Sequence, residues 1–314
     1  MFQQTFKNFN INFNRLNAEN SYSSGDLITG HISFDLTKET KITSITMAVK
    51  GKADVHWSSG SGGKNGQRRN YHAEVKYFDL KAVIVAENVA TGRTTQLQPG
   101  THMYPFTCQL PHGDFPASFK GAHGKIVYTL TVGINRPWHM SKDFVTELNF
   151  VSRMNTNLPE LWYPLSGTNT MTLCCLWCAS GPITLTAAAE KKAFSPGETV
   201  KIICNIQNSS SRTLTPKLKL QVKQTFYTHN KASKKIFVKN LNSVTGEPIS
   251  PDALDVHAEF MLTIPSSASL SISNCSILLV DYIIEVNLKV SSAPDLTVLI
   301  PIILFSNPIQ PIRE

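Results

Sequence analysis

No stretch of this sequence is apolar for long enough to cross a membrane as a helix, which takes roughly 20 such residues. The most apolar run, Leu296 to Phe305, is short and broken by Pro301, and it reads as a strand. The opening residues Met1–Lys7 hold no continuous apolar stretch, so no secretory leader is expected. Charged residues are sparse at 17%. There is no His-Glu-x-x-His, no Gly-x-Ser-x-Gly elbow, no phosphate-binding Walker loop and no dinucleotide fingerprint. The nine histidines are dispersed. These absences leave no catalytic set and no cofactor or metal centre, and no enzyme is expected. No amphipathic helix longer than two turns is visible.

The six cysteines stand at 108, 174, 175, 178, 204 and 275. Cys175-Leu176-Trp177-Cys178 has redox spacing, but such motifs work at a helix N-terminus. Here the segment reads as one apolar strand. A structural zinc site needs a second pair at matching spacing, and none is present. Reduced thiols in a cytosolic chain are expected, most of them in the core.

Short runs of Ile, Val, Phe and Thr bounded by Gly, Ser, Asp or Pro fill the chain, which marks an all-β protein. Leu27 to Leu36 and Ile42 to Lys50 alternate apolar and polar residues. Tyr71 to Tyr77 and Lys81 to Ala86 read as two further strands. In Lys125 to Ile134, residues Ile126, Tyr128, Leu130 and Val132 fall on one side, as a half-buried strand requires. That strand stops at Arg136-Pro137-Trp138. Pro137 ends the ladder by removing a donor, and Trp138 is expected to cap the core. Arg136 suits either a carboxylate partner or a phosphate.

Ser24-Gly25-Asp26 before one strand is echoed by Ser195-Pro196-Gly197-Glu198 before another, a hint of two domains of one class. The Asn- and Pro-rich stretch near 155–167 reads as a linker. The expected division is 1–155 for the first β-sandwich, 156–169 for the linker, 170–307 for the second sandwich and 308–314 for a short tail. The Gly/Ser run 58–66, followed by Arg68 and Arg69, reads as a hairpin tip. Its Lys64, Arg68 and Arg69 are either simply solvated or a contact for phosphate or lipid. The net charge of +8 suits solubility or anionic partners such as phosphorylated peptides and inner-leaflet lipid. The basic residues form no finger or tandem motif, and no nucleic-acid partner is expected.

Taken in order, several segments resemble the arrestin-domain family, in its alpha-arrestin branch. They are Gly25-Asp26, Tyr104-Pro105-Phe106, the run Phe115 to Tyr128 with Phe119, Gly121, His123, Gly124 and Tyr128, and then Arg136-Pro137-Trp138. In the second half they are Cys174-Cys175, Pro196-Gly197, Asn208 to Arg212, Asp281-Tyr282 and Ile300-Pro301. The resemblance spans almost the whole chain. It implies two immunoglobulin-like arrestin sandwiches in tandem and no catalysis. It also implies a cytoplasmic adaptor recruited peripherally to plasma membrane and endosomes. Such adaptors bind receptors or transporters and bring a HECT-type ubiquitin ligase, held by Pro-Pro-x-Tyr motifs, so that cargo is internalised and sorted. No Pro-Pro-x-Tyr occurs in this sequence, so either the tail that carries it is missing from this version or the ligase is engaged indirectly, with other alpha-arrestins as candidate partners. The alternative is a scaffold acting only through a tailed relative. One relative binds thioredoxin through a cysteine in the segment that reads Pro251 to Asp255 here; that segment has no cysteine, and thioredoxin is not implied.

Overall fold

The structure is a computed structural model that describes residues 5–60, 68–86, 94–152, 158–175 and 178–306. The first half contributes β1 (Phe6–Phe13), β2 (Ser21–Tyr22), β3 (Leu27–Leu36), β4 (Thr40–Ile42), β5 (Ser44–Ser59) and β6 (Arg69–Val85). It continues with β7 (Thr95–Leu97), β8 (Gly100–Gln109), β9 (Phe119–Lys120), β10 (Gly124–Asn135) and β11 (Lys142–Phe150). The second half contributes β12 (Leu165–Cys175), β13 (Cys178–Ala189), β14 (Ala193–Phe194), β15 (Thr199–Asn208) and β16 (Leu214–Tyr227). It ends with β17 (Lys234–Thr245), β18 (Val256–Thr263), β19 (Leu278–Val290) and β20 (Leu296–Leu304). A single 3-10 turn, Pro159–Leu161, stands between the halves.

Each half is a β-sandwich. In the first, a sheet of order β1-β3-β8 faces one of order β2-β11-β10-β5-β6, with β9 added to β10 and a small β4-β7 pair beside them. In the second, β12-β13-β15-β18 faces β14-β20-β19-β16-β17. Period-two alternation puts one face of each sheet in the core. Ile126, Tyr128, Leu130 and Val132 of β10 are buried, as are Leu278, Val280, Tyr282, Ile284, Val286 and Leu288 of β19. Full burial of one such aliphatic side chain contributes about 1.5–3 kcal/mol.

The two sandwiches close by the same devices. In the first turn Asp26 N–H donates to the Ser23 carbonyl (3.1 Å), and the Asp26 carboxylate accepts from Ser23 N–H (2.8 Å). In the second, Glu198 N–H donates to the Ser195 carbonyl (3.0 Å), and its carboxylate accepts from Ser195 N–H (2.9 Å). Gly25 (φ +79°) and Gly197 (φ +89°) take the left-handed position that each turn needs. The short β2 and β14 pair in parallel with the last strands, β11 and β20. Finally, Tyr128 donates its hydroxyl to the Pro116 carbonyl (2.7 Å), and Tyr282 donates to the Ser269 carbonyl (2.6 Å).

Four expectations need correction. Tyr71–Tyr77 and Lys81–Ala86 are one strand, β6. The break in alternation is a bulge, in which Gly51 pairs with Phe78 and Lys52 with Lys76, leaving Tyr77 as the extra residue. The segment read as linker already holds strand from Leu165. Gly167 there is needed for close packing, since a Cβ would stand 2.9 Å from Val298. Cys175-x-x-Cys178 does not lie inside one strand: β12 ends at Cys175, β13 begins at Cys178, and the two residues pair across the hairpin. The side chains of Cys174, Cys175 and Cys178 lie outside the described residues. Trp138 does not cap the core but is fully exposed; Arg136 closes that end, with its guanidinium 5.6 Å above the Phe6 ring. The tail 308–314 lies outside the described residues.

Removing either phenol hydroxyl leaves a buried carbonyl without its donor, which costs about 1–3 kcal/mol. Tyr128→Phe and Tyr282→Phe are each expected to lower the melting temperature, by about 2–4 °C per kcal/mol for domains of this size. Differential scanning calorimetry checks this, and an unchanged transition in both variants would contradict the anchoring role.

Candidate functional site

Two irregular segments of the first domain reach the second. The first is the tight loop between β9 and β10, where Gly121 N–H donates to the Gly124 carbonyl (2.9 Å). The Ala122 N–H crosses to Gln224 Oε1 (3.0 Å), and the His123 ring meets Phe226 edge-on at 5.5 Å. Small residues are required here. A Cβ on Gly121 would stand 2.7 Å from Gln224 Oε1, and one on Gly124 would stand 3.1 Å from Leu278 and 2.7 Å from Val55. Phe119 is buried beneath the loop. The second segment supplies Asp114, whose carboxylate accepts from Asn274 Nδ2 (2.7 Å). On the flank, Glu74 N–H of β6 donates to His229 Nε2 (3.3 Å), which lies between β16 and β17. Burial, and then the neighbouring Cys275, push the Tyr77 hydroxyl up from its ordinary pKa.

The seam therefore gathers Phe119, Gly121, His123 and Gly124, which the sequence marked together. It also uses Asp114, Gln224, Phe226, His229 and Asn274, which the sequence did not mark. Gln224 and Phe226 read only as strand residues, and nothing in their spacing announces a second domain. A cleft of about 580 Å³ opens beside the seam, with Asp114, Lys192, Lys223, Asn274 and Asp281 on its walls. Asp281 thus lines a cleft, while its neighbour Tyr282 is a core anchor. Gly25, Asp26, Pro196 and Gly197 belong to the closing turns, away from this loop.

Charge is arranged differently on the two domains. On the first, several exposed bases of the large sheet meet acids: Lys50 with Asp79 (3.4 Å), Lys52 with Glu74 (2.7 Å), His72 with Asp54 (3.2 Å) and Lys120 with Glu147 (2.7 Å). On the second, residues 214–246 contain no Asp or Glu and hold Lys217, Lys219, Lys223, Lys231, Lys234, Lys235 and Lys239. Only Lys219 of these forms an ion pair among the described residues, with Glu285 at 2.8 Å. The hairpin β16–β17 is the main concentration of unpaired positive charge. At the tip of β5–β6, Arg69 is exposed and the Arg68 guanidinium donates to Ser58 Oγ (2.9 Å), while Lys64 lies outside the described residues.

Nucleophile chemistry finds no support. Burial pushes the Cys204 thiol up to about 12, so it stays protonated near neutrality. Among the described residues, no group of three or more His, Cys, Asp or Glu is placed to hold a metal ion. No helix of the described residues is long and apolar enough to cross a membrane.

A side chain forced into the seam should uncouple the domains. Gly124→Val is expected to cost about 1–3 kcal/mol by overpacking and to split one calorimetric transition into two. Gly60→Ala is the control, since nothing stands within 4 Å of its Cβ. If Gly124→Val melts like the control, the loop does not join the domains.

Comparison with known proteins follows this geometry. Residues 9–157 match the family model "Arrestin (or S-antigen), N-terminal domain", and residues 179–309 match "Arrestin (or S-antigen), C-terminal domain". The chain is 29% identical over 294 residues to arrestin domain-containing protein 4 of Mus musculus, covering 93% of this chain and 70% of that protein. It is 28% identical over 290 residues to the Homo sapiens protein of that name, covering 91% and 68%. It is 24% identical over 303 residues to thioredoxin-interacting protein of Homo sapiens, covering 96% and 74%. With both domains matched in order, and with two sandwiches closed and joined as described, the chain belongs to the arrestin domain family.

Proposed function

We propose that this protein is a non-enzymatic cytoplasmic adaptor that engages membrane receptors or transporters and supports their ubiquitin-linked endocytosis and endosomal sorting. The observation that carries the reading is the acid-free, lysine-rich hairpin β16–β17 of the second domain. Strands paired on both sides hold β16 along its length, so its lysines are presented in a fixed row. Such a row favours acidic or phosphorylated cytosolic segments of cargo and contributes most at low ionic strength. An adaptor needs no reacting group, which agrees with the protonated Cys204 and the structural use of the buried tyrosines.

A second reading is a scaffold acting through a tailed relative. These 314 residues hold no Pro-Pro-x-Tyr of their own. The WW domains that read such motifs need that polyproline-type segment. On this reading the ligase reaches cargo through another alpha-arrestin bound to this chain.

Two measurements test these readings. In cells lacking the protein, the surface level of its cargo is expected to rise and cargo ubiquitination to fall. Lys223→Glu with Lys235→Glu should reproduce the loss without lowering the melting temperature. Unchanged surface levels of receptors and transporters would sink the adaptor reading. A pull-down with WW-domain ligases is expected to fail once the tailed relatives are removed; ligase capture that survives their removal would sink the second.

A further inference from the structure

The tip between β10 and β11 carries an arrangement that the fold itself does not use. Trp138 is 100% exposed and Met140 is 92% exposed. Pro137 stands at the second position of a turn in which His139 N–H donates to the Arg136 carbonyl (3.4 Å). Trp138 occupies the third position at φ +59°. Proline followed by a residue at positive φ is the arrangement of a type II turn, whose third position favours glycine. Of the other turns closed this way with a positive φ at the third position, two have Gly25 and Gly197 there and one, Val290–Ala293, has the small Ser292 (φ +56°). A large aromatic in that place bears backbone strain, and full exposure means that no core packing offsets it.

The tip is also firmly held. β10 and β11 stay paired up to Ile134 and Lys142. His139 Nδ1 lies 2.7 Å from the Pro137 carbonyl, and Ser141 Oγ donates to Asp143 Oδ1 (3.0 Å). Thr43 N–H, just after β4, donates to the Asn135 carbonyl (2.9 Å), which brings the β4–β5 corner alongside. Lys41 on β4 and Lys38 just before β4 are exposed, and Lys142 opens β11. With Arg136 they make four basic side chains at this end of the domain, against the acids Glu39 and Asp143.

We infer that this tip is a lipid-docking element. Trp138 and Met140 enter the boundary between headgroups and acyl chains of an anionic bilayer, and Lys38, Lys41 and Lys142 face the headgroup charges. An indole suits that depth because its ring is apolar and its N–H is polar. Lysines beside the insertion point add attraction to an anionic leaflet. The type II turn explains why the strain is kept: it aims the ring outward from a stiff stalk. The inference rests on the peripheral-membrane part of the proposed function and names the surface that makes the contact.

The test is co-sedimentation of the whole chain with phosphatidylcholine vesicles and with vesicles containing about a third phosphatidylserine. The protein is expected to bind the anionic vesicles, and to release as salt is raised. Trp138→Gly should weaken that binding on the order of tenfold while the melting temperature stays the same or rises. Lys38→Ser, Lys41→Ser and Lys142→Ser together should remove the salt-sensitive part. Full vesicle binding by Trp138→Gly would overturn the tip as the contact and leave the adaptor reading intact. No vesicle binding by the unaltered chain would overturn this inference, whereas the adaptor reading falls only on the cargo measurement. A clear drop in melting temperature for Trp138→Gly would assign the ring a structural role and overturn the inference as well.

Discussion

A phenol hydroxyl is costly to bury without a partner, and the way Tyr128 and Tyr282 meet that cost shapes much of this molecule. Tyr128 and Tyr282 sit at the centres of the two sandwiches, and each reaches back 12 or 13 residues to a backbone carbonyl. The hydroxyls therefore pin the irregular segments that precede β10 and β19. Those are the segments that make the seam: Asp114 and the loop 121–124 on one side, Asn274, Cys275 and Leu278 on the other. The aromatic surroundings strengthen the first anchor, with Phe150 stacked 4.1 Å from the Tyr128 ring and Tyr77, Phe78 and Phe115 nearby. Core closure and domain joining are thus one problem, solved once in each half.

This linkage explains which parts were legible in the sequence. Alternation in β3 and β10 is a local property, so those strands stand where the pattern put them. The echo of Gly25-Asp26 in Gly197-Glu198 was legible because a positive φ and a capping carboxylate demand particular residue types. The hairpin at Cys175 and Cys178 was not, since Leu176-Trp177 carries none of the Gly, Asn or Pro that mark a turn. Leu165 to Asn169 looked like linker because an edge strand built of Ser, Gly, Thr and Asn lacks the apolar face that periodicity detects; threonines of this strand pair instead, Thr168 with Thr186 and Thr170 with Thr184. The bulge at Tyr77 broke the alternation of β6 so that Tyr77 and Phe78 could both turn toward Tyr128. Half of the seam was legible as a glycine loop. Its other half was not, because which strand ends meet is a long-range fact that no local spacing encodes.

The net charge of +8 also changes meaning once placed. Cross-strand acids largely neutralise the large sheet of the first domain, and exposed pairs of this kind add little stability. Their effect is to quiet that face. The second domain leaves β16–β17 without acids of its own, and β17 is an edge strand. Lysines on an edge strand also discourage pairing with another chain. Lysines that discourage strand pairing at that edge are also compatible with the anionic partner proposed for this hairpin, and the two roles do not compete.

Four turns of one type make the strongest argument about where function lies outside the core. Ser23–Asp26, Ser195–Glu198, Arg136–His139 and Val290–Ala293 each close with an N–H to the carbonyl three residues back, and each places a positive φ at the third position, which the small Ser292 takes in the last. At the first two, glycine meets the demand, and at Gly25 a Cβ would also strike the His112 ring at 2.4 Å. Those turns serve closure of the sandwich, and their residues are what closure requires. At the third, space is unlimited and glycine would fit, yet the position holds the largest side chain available and exposes all of it. Stability alone favours glycine there. Among the described residues nothing covers the indole, so a ring held out on a paired hairpin is available to the bilayer surface inferred for it.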